Sequence, residues 1–317
     1  MKGKKEFAIL FFLIVVLVFY IKSEKGDKTR YDLPDITNIE TKDVTGININ
    51  KKDSVTTLIR ENDIWLVGTQ KYPADPSAVD KMLNDISSLS LTALASESRN
   101  YSIYELDDDK KIEIRILKGD DVIRTVSIGK PASSYRHTFV MIDDDHRVYH
   151  AEGNIRADFD RSIPDLRDKR VMAVQDEIHE LTLEKGDKKM TIIKAASPVS
   201  VDVTDSQKEE SAPEVTAPKW TTSDGMKVKD NEVESIINSL SDYQCDEFID
   251  GKTREDFTSP VYTATFKGVK EYSISFYEKQ DEKYPAVTSE NDYPFMVSEW
   301  KANKIMKDLD SLLDTGQ

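Results

Sequence analysis

An apolar stripe written twice constrains this chain more than any other feature. Val79, Met82, Leu83 and Ile86 fall at i, i+3, i+4 and i+7, and Val233, Ile236, Ile237 and Leu240 repeat that spacing. Each stripe is the buried face of an amphipathic helix. Asp75-Pro76 places an N-cap and a first-turn proline before the first, and Asp230 is expected to cap the second. Ahead of each lies a tryptophan, Trp65 or Trp220, and ahead of that an alternating run, a polar turn and a second run. These hairpins read Val44 to Arg60 and Ile178 to Lys194. A pattern that recurs in order requires two cores rather than one.

Strand-like runs follow each helix. In the first copy they are Ile112 to Leu117, Val122 to Ile128, His137 to Ile142 and Arg147 to His150. In the second they are Val261 to Phe266, Tyr272 to Tyr277, Ala286 to Ser289 and Phe295 to Val297. Each copy is expected to close on a helix, over Asn154 to Ile163 and over Ser298 to Leu313. Tight turns between neighbouring runs favour antiparallel pairing. The expected class is α+β: two tandem repeats, each a mainly antiparallel sheet with a packed amphipathic helix, after one N-terminal transmembrane helix. The repeats span residues 43–172 and 173–317, behind an anchor over 1–25 and a linker over 26–42. Residues 197–218, rich in Ser, Pro and Glu, form an insert expected to be disordered.

The transmembrane expectation rests on Phe7 to Ile21, an unbroken apolar run with Lys2, Lys4 and Lys5 before it and Lys22 and Lys25 after it. At about 1.5 Å per residue it is short for a bilayer core of roughly 30 Å, a mismatch that flanking lysines relieve by snorkelling. An uncleaved signal anchor and a cleaved secretory signal share these parts. The anchor is favoured because no small-x-small site follows the run. Either way the basic end stays in the cytoplasm and the rest is exported. Residues 1–21 carry a net +2, so the chain's formal −15 becomes −17 outside the membrane. That balance excludes a general nucleic-acid binder. The lone Cys245 excludes an internal disulfide and any multi-cysteine metal site.

Catalytic signatures are missing from the sequence. No G-x-S-x-G and no H-E-x-x-H occurs, and His137, His146, His150 and His179 fall on strands or turns. The triplets Asp107 to Asp109 and Asp143 to Asp145 read as solvated hairpin turns rather than calcium loops. Gly129-Lys130 reads as a turn after a strand. Asp165, Arg167, Asp168, Lys169 and Arg170 are the densest mixed-charge cluster, an interaction epitope or a junction fixed by Arg–carboxylate pairs. Trp65 and Trp220 read as core residues beneath the helices.

Several of these residues together resemble a known bacterial family. Trp65, Tyr72-Pro73-Ala74-Asp75 leading into the first helix, Ser127-Ile128-Gly129-Lys130 before a Tyr135 to Tyr149 hairpin, and Asp165-Leu166-Arg167-Asp168-Lys169 carry the likeness. The chain resembles the domain-of-unknown-function 4340 family over residues 36–317, in two copies. The second is more degenerate, with Met226-Lys227-Val228-Lys229-Asp230 where the first has Tyr-Pro-Ala-Asp. The resemblance implies a membrane-anchored extracytoplasmic protein, often encoded beside ABC-transporter components, with no catalytic residues to carry over. The expected function is a non-enzymatic accessory or scaffold of a transport or envelope complex. The alternatives are a peptide- or glycan-binding module and, third, an envelope enzyme. Expected partners are the bilayer, through Phe7 to Ile21, and a membrane or envelope protein; no cofactor is expected.

Overall fold

The computed structural model describes residues 32–195 and 219–315, together with Ile14. The rest of the run Phe7 to Ile21 and the insert 197–218 lie outside the described residues. Among the described residues no helix is long and apolar enough to cross a membrane. The chain divides into two compact units, Met1–Asp168 and Lys169–Gln317, each mostly antiparallel sheet with few helices.

The first unit opens with β1 (Gly46–Lys51), β2 (Ser54–Glu61), β3 (Ile64–Val67) and β4 (Tyr72–Pro73), followed by helix α1 (Pro76–Ser87). It continues through β5 (Leu91–Ser96), β6 (Ile112–Lys118), β7 (Asp121–Pro131), β8 (His137–Ile142) and β9 (Val148–Glu152), and ends on two single turns of helix, α2 (Arg156–Phe159) and α3 (Ile163–Leu166). The strands lie in the order β4-β3-β2-β1-β6-β7-β8-β9-β5. Every pairing is antiparallel. Alternation in sequence becomes two faces in space: Ile47, Ile49, Ile112, Ile114, Ile116, Val126, Ile128, Val140 and Ile142 share the buried one. The stripe of α1 packs into the same core. Its N-terminus is capped as expected, the Asp75 carboxylate accepting from the Ser77 and Ala78 amides at 2.9 and 3.4 Å.

The second unit contains β10 (Arg170–Met172), β11 (Glu180–Lys185), β12 (Lys188–Lys194), β13 (Trp220–Thr222), helix α4 (Asp230–Ser239), β14 (Tyr243–Gln244), β15 (Glu247–Phe248), β16 (Tyr262–Lys267), β17 (Glu271–Phe276), β18 (Lys283–Thr288), β19 (Phe295–Ser298) and the turn α5 (Glu299–Ala302). Its large sheet runs β13-β12-β11-β16-β17-β18-β19-β15, and β10 pairs with β14. Taken by position, this is the order of the first sheet without its two-residue edge β4. In both sheets the first strand of the opening hairpin lies between its hairpin partner and a strand from beyond the helix, β1 between β2 and β6 and β11 between β12 and β16. Edges are short or irregular: β13 and β15 have three and two residues, and the β5–β9 register shifts twice. Short and bulged edges discourage further strand pairing.

Four expectations need correction. Asp230 does not cap α4; Lys229 occupies the N-cap without a side-chain bond. The Asp230 carboxylate instead accepts from the Trp220 and Lys219 amides at 2.9 and 3.1 Å, fastening β13 to the helix. Asp230→Ala strands the partly buried Trp220 amide, so a loss of about 1–2 kcal/mol is expected in urea unfolding. Asp230→Asn should recover most of it, and equal losses from both variants would refute the fastening role.

The closing helices are also shorter than expected. After α5 the chain turns, and only a 3-10 turn, Asp310–Leu312, follows. The backbone is drawn aside because Lys229 donates to the Leu312 carbonyl at 2.9 Å and Asp314 to that of Lys227 at 3.0 Å. Ile305, Leu309 and Leu312 still reach the core. In the first unit Pro164 sits in the opening turn of α3 and separates it from α2. Finally, Gly129 and Lys130 are not a turn but lie inside β7.

Candidate functional site

The mixed-charge cluster proves to be part of a fold closure. Asp165, Arg167 and Asp168 belong to the first unit, and Lys169 and Arg170 to the second. Arg167 is 3% exposed, with its guanidinium 3.6 Å above the Tyr72 ring. Asp168 donates its amide to the Pro73 carbonyl at 2.8 Å, and Asp75 donates to that of Leu166 at 2.8 Å. Thus Tyr-Pro-Ala-Asp and Asp-Leu-Arg-Asp, far apart in sequence, form one antiparallel bridge at Ala74 and Arg167. Lys169 accepts from the Cys245 amide, and Arg170 begins β10 opposite Gln244.

Other singled-out residues pack into the cores or pair with nearby groups. Trp220 is buried in the second core, and Trp65 packs against the first. Asp143 takes the Thr125 amide and Asp145 the Arg147 guanidinium. Asp108 and Asp109 pair with Lys111 and Lys52. His150 meets His137, not His146, with ring centroids 5.7 Å apart, and stacks near Phe139. Burial, then the charge of His137, lowers its pKa. Among the described residues no group of three metal-ligating side chains forms.

The arrangement with the most chemistry lies in the second unit, where α4 runs out and α5 begins. Ser239, Asp242, Tyr243, Gln244, Trp300, Lys301 and Lys304 line an open pocket of about 200 Å³. Trp300 is 61% exposed and carries the Lys304 ammonium 4.1 Å from its ring centre. Next to this lining, Asp246 accepts from Lys301 Nζ at 2.5 Å and from the Ser298 amide at 2.5 Å. Burial works to raise the Asp246 carboxyl, but those two donors outweigh it and hold it below its ordinary range. Tyr243 is 3% exposed, and neither its hydroxyl nor that of Ser298 finds a hydrogen-bond partner among the described residues. Burial, then the Asp246 charge, raises the Tyr243 pKa far above its usual value, so the phenol stays protonated. Such an arrangement can stack a ring, donate hydrogen bonds and meet an anion.

The matching place in the first unit is closed. Aligning buried Ile86 with Leu240, and buried Phe159 with Ala302, sets Asp85 against Ser239, Ala157 against Trp300, Asp158 against Lys301 and Arg161 against Lys304. There Lys81 bridges Asp85 and Asp158 at 2.5 and 3.3 Å, and Arg161 holds Asp158 at 3.2 Å. Burial raises the Asp85 carboxyl and outweighs the lowering effect of Lys81; Asp158 adds to the rise. Because the charged form is disfavoured in the folded state, its contribution to stability falls as pH rises from below the unfolded value through the folded one. Asp85→Asn should therefore unfold at higher urea than wild type at pH 7, with the gap closing near pH 3. A variant less stable at pH 7 would contradict this.

Sequence reasoning missed this pocket. Tyr243 and Asp246 carry no local signal, and Trp300, Lys301 and Lys304 sat inside an expected continuous helix. The one available hint was a tryptophan beside two lysines on that stretch.

Two antiparallel sheets of common strand order, each with a packed helix, define an α+β protein, largely β, with a small polar pocket on its second unit. The family described as "Domain of unknown function (DUF4340)" matches residues 65–260. The chain belongs to that family. The match is a single span that begins in β3, crosses the division between the units and ends before β16, where a likeness over 36–317 in two copies had been expected. No curated protein and no solved structure matches the chain.

Proposed function

We propose that this chain is a single-span, extracytoplasmic accessory or scaffold protein of a transport or envelope complex, made of two copies of one domain. The repeated strand order supports this reading most: two units of one design follow each other after a lysine-flanked apolar run. Phe7 to Ile21 anchors the chain in the bilayer, with the basic end in the cytoplasm and the acidic units outside. The excess negative charge keeps those units soluble beside an anionic membrane.

The test uses the full chain in its own membrane. Protease added to the outer side should remove both units and leave an anchored fragment, whereas protection of the units overturns the address. Cross-linking before detergent extraction should then recover a membrane protein in fixed stoichiometry. A chain recovered repeatedly without one overturns the scaffold role.

A second reading, an extracytoplasmic glycan-binding module, is supported by the pocket beside Trp300. An exposed indole beside acceptors and a cation is the chemistry that holds a sugar ring.

A further inference from the structure

We infer that the pocket of the second unit binds a carboxylate-bearing pyranose; this rests on the glycan-binding reading and names the ligand class. Its volume of about 200 Å³ is below the roughly 300–1,000 Å³ of drug-sized sites, so it suits a single ring. Trp300 offers a broad apolar face for the C–H side of a sugar ring.

The two lysines differ in their partners. Lys301 is neutralised by Asp246 at 2.5 Å and stays fixed as a hydrogen-bond donor. Lys304 has only the indole as counterpart among the described contacts. A ligand carboxylate is a far stronger partner for that ammonium than an aromatic face. Drawing Lys304 off the ring also uncovers the surface on which the sugar stacks. On the other side Asp242, held by the Gln244 amide at 2.9 Å, accepts from ring hydroxyls. It also repels a carboxylate, which orients the ligand with its acid group toward Lys304.

Comparison within the chain points the same way. The equivalent place in the first unit holds two aspartates closed by Lys81 and Arg161, with Ala157 at the position of the indole. In the second unit the acids are replaced by Ser239 and Lys301, and Lys304 stands at the rim. Packing needs neither change: the buried neighbours Leu240 and Ala302 keep the stripe and the core contact. The orphan Tyr243 hydroxyl lies in a residue that lines this same pocket, a buried polar group that an occupied site has reason to retain.

The experiment uses the full chain in detergent, labelled with 5-fluorotryptophan, so that fluorine NMR reads Trp65, Trp220 and Trp300 separately. Trp300→Phe assigns the third signal. Glucuronate should shift the Trp300 signal saturably, at least fivefold more tightly than glucose or acetate. Lys304→Gln, an exposed substitution that leaves the core untouched, should weaken glucuronate at least fivefold relative to glucose and so abolish the preference for the acid. No shift of Trp300 with glucuronate, or an equal response to glucose or to acetate, overturns the inference. A glucuronate-terminated disaccharide separates sources: tighter binding identifies a glycan end, and equal binding the free sugar acid. If glycan fragments bind while the Trp300 signal stays put, this pocket is overturned and the glycan-binding reading survives.

Discussion

Gly129→Ala is expected to destabilise the first unit by about 3 kcal/mol, because overpacking of a seated backbone has no cheap relaxation. That corresponds to a fall of roughly 6–12 °C in the melting temperature of a unit this size. A Cβ at Gly129 would lie 2.3 Å from the Tyr104 carbonyl oxygen and 2.9 Å from Leu106 Cγ. The obstacle is backbone held by its own anchors. Tyr104 packs on Phe139 with ring centroids 4.8 Å apart, and the Tyr101 hydroxyl donates to the His146 carbonyl at 3.1 Å. Gly119 is the control, since its φ of +61° requires a left-handed conformation while nothing lies within 4 Å of a new Cβ. Gly119→Asn should cost under about 0.5 kcal/mol, because Asn tolerates that conformation. A Gly129→Ala protein that melts with wild type would mean the Tyr101–Tyr104 turn does not sit on the sheet.

Arg167→Ala is expected to cost a similar amount, about 3 kcal/mol, by leaving a cavity over Tyr72 and removing a buried cation from its surroundings. The flat guanidinium lies 3.6 Å from the ring centre, a contact that a lysine ammonium cannot reproduce as a plane. Arg167→Lys should therefore recover less than half of the loss. A double-mutant cycle with Tyr72→Leu isolates the stack, and a coupling of about 1–2 kcal/mol is expected. Zero coupling would show that the closure rests on the backbone bridge alone.

Much of the architecture was legible because it depends on local period. Strand positions such as Ile112, Ile114 and Ile116, and the helix positions Val79 and Ile86, announce a buried face by spacing alone. Asp75 was legible as a cap for the same reason: its partners, the Ser77 and Ala78 amides, are two and three residues away. Asp230 was misjudged because an Asp before a helical stripe looks the same whether its carboxylate turns to its own helix or to a neighbouring strand. The distant amide of Trp220 decided between them. The Ser298 to Leu313 stretch failed in a related way. Ile305, Leu309 and Leu312 keep helical spacing and are buried, yet the backbone pairs with Val228 and Lys229, and a period cannot reveal which partner takes the carbonyls.

By itself the sequence determined the number of cores, the antiparallel alternation and the two amphipathic helices, since these follow from which residues leave water at a regular spacing. It also determined the family to which the chain belongs. Tertiary structure alone decided that β6 lies beside β1 and β16 beside β11, and that Gly129 is an approach point rather than a turn. It alone joined Tyr72 to Arg167, and gathered Tyr243, Trp300, Lys301 and Lys304 around one pocket. Those outcomes depend on contacts between residues tens of positions apart, where the energy belongs to the meeting and neither segment carries a trace of it.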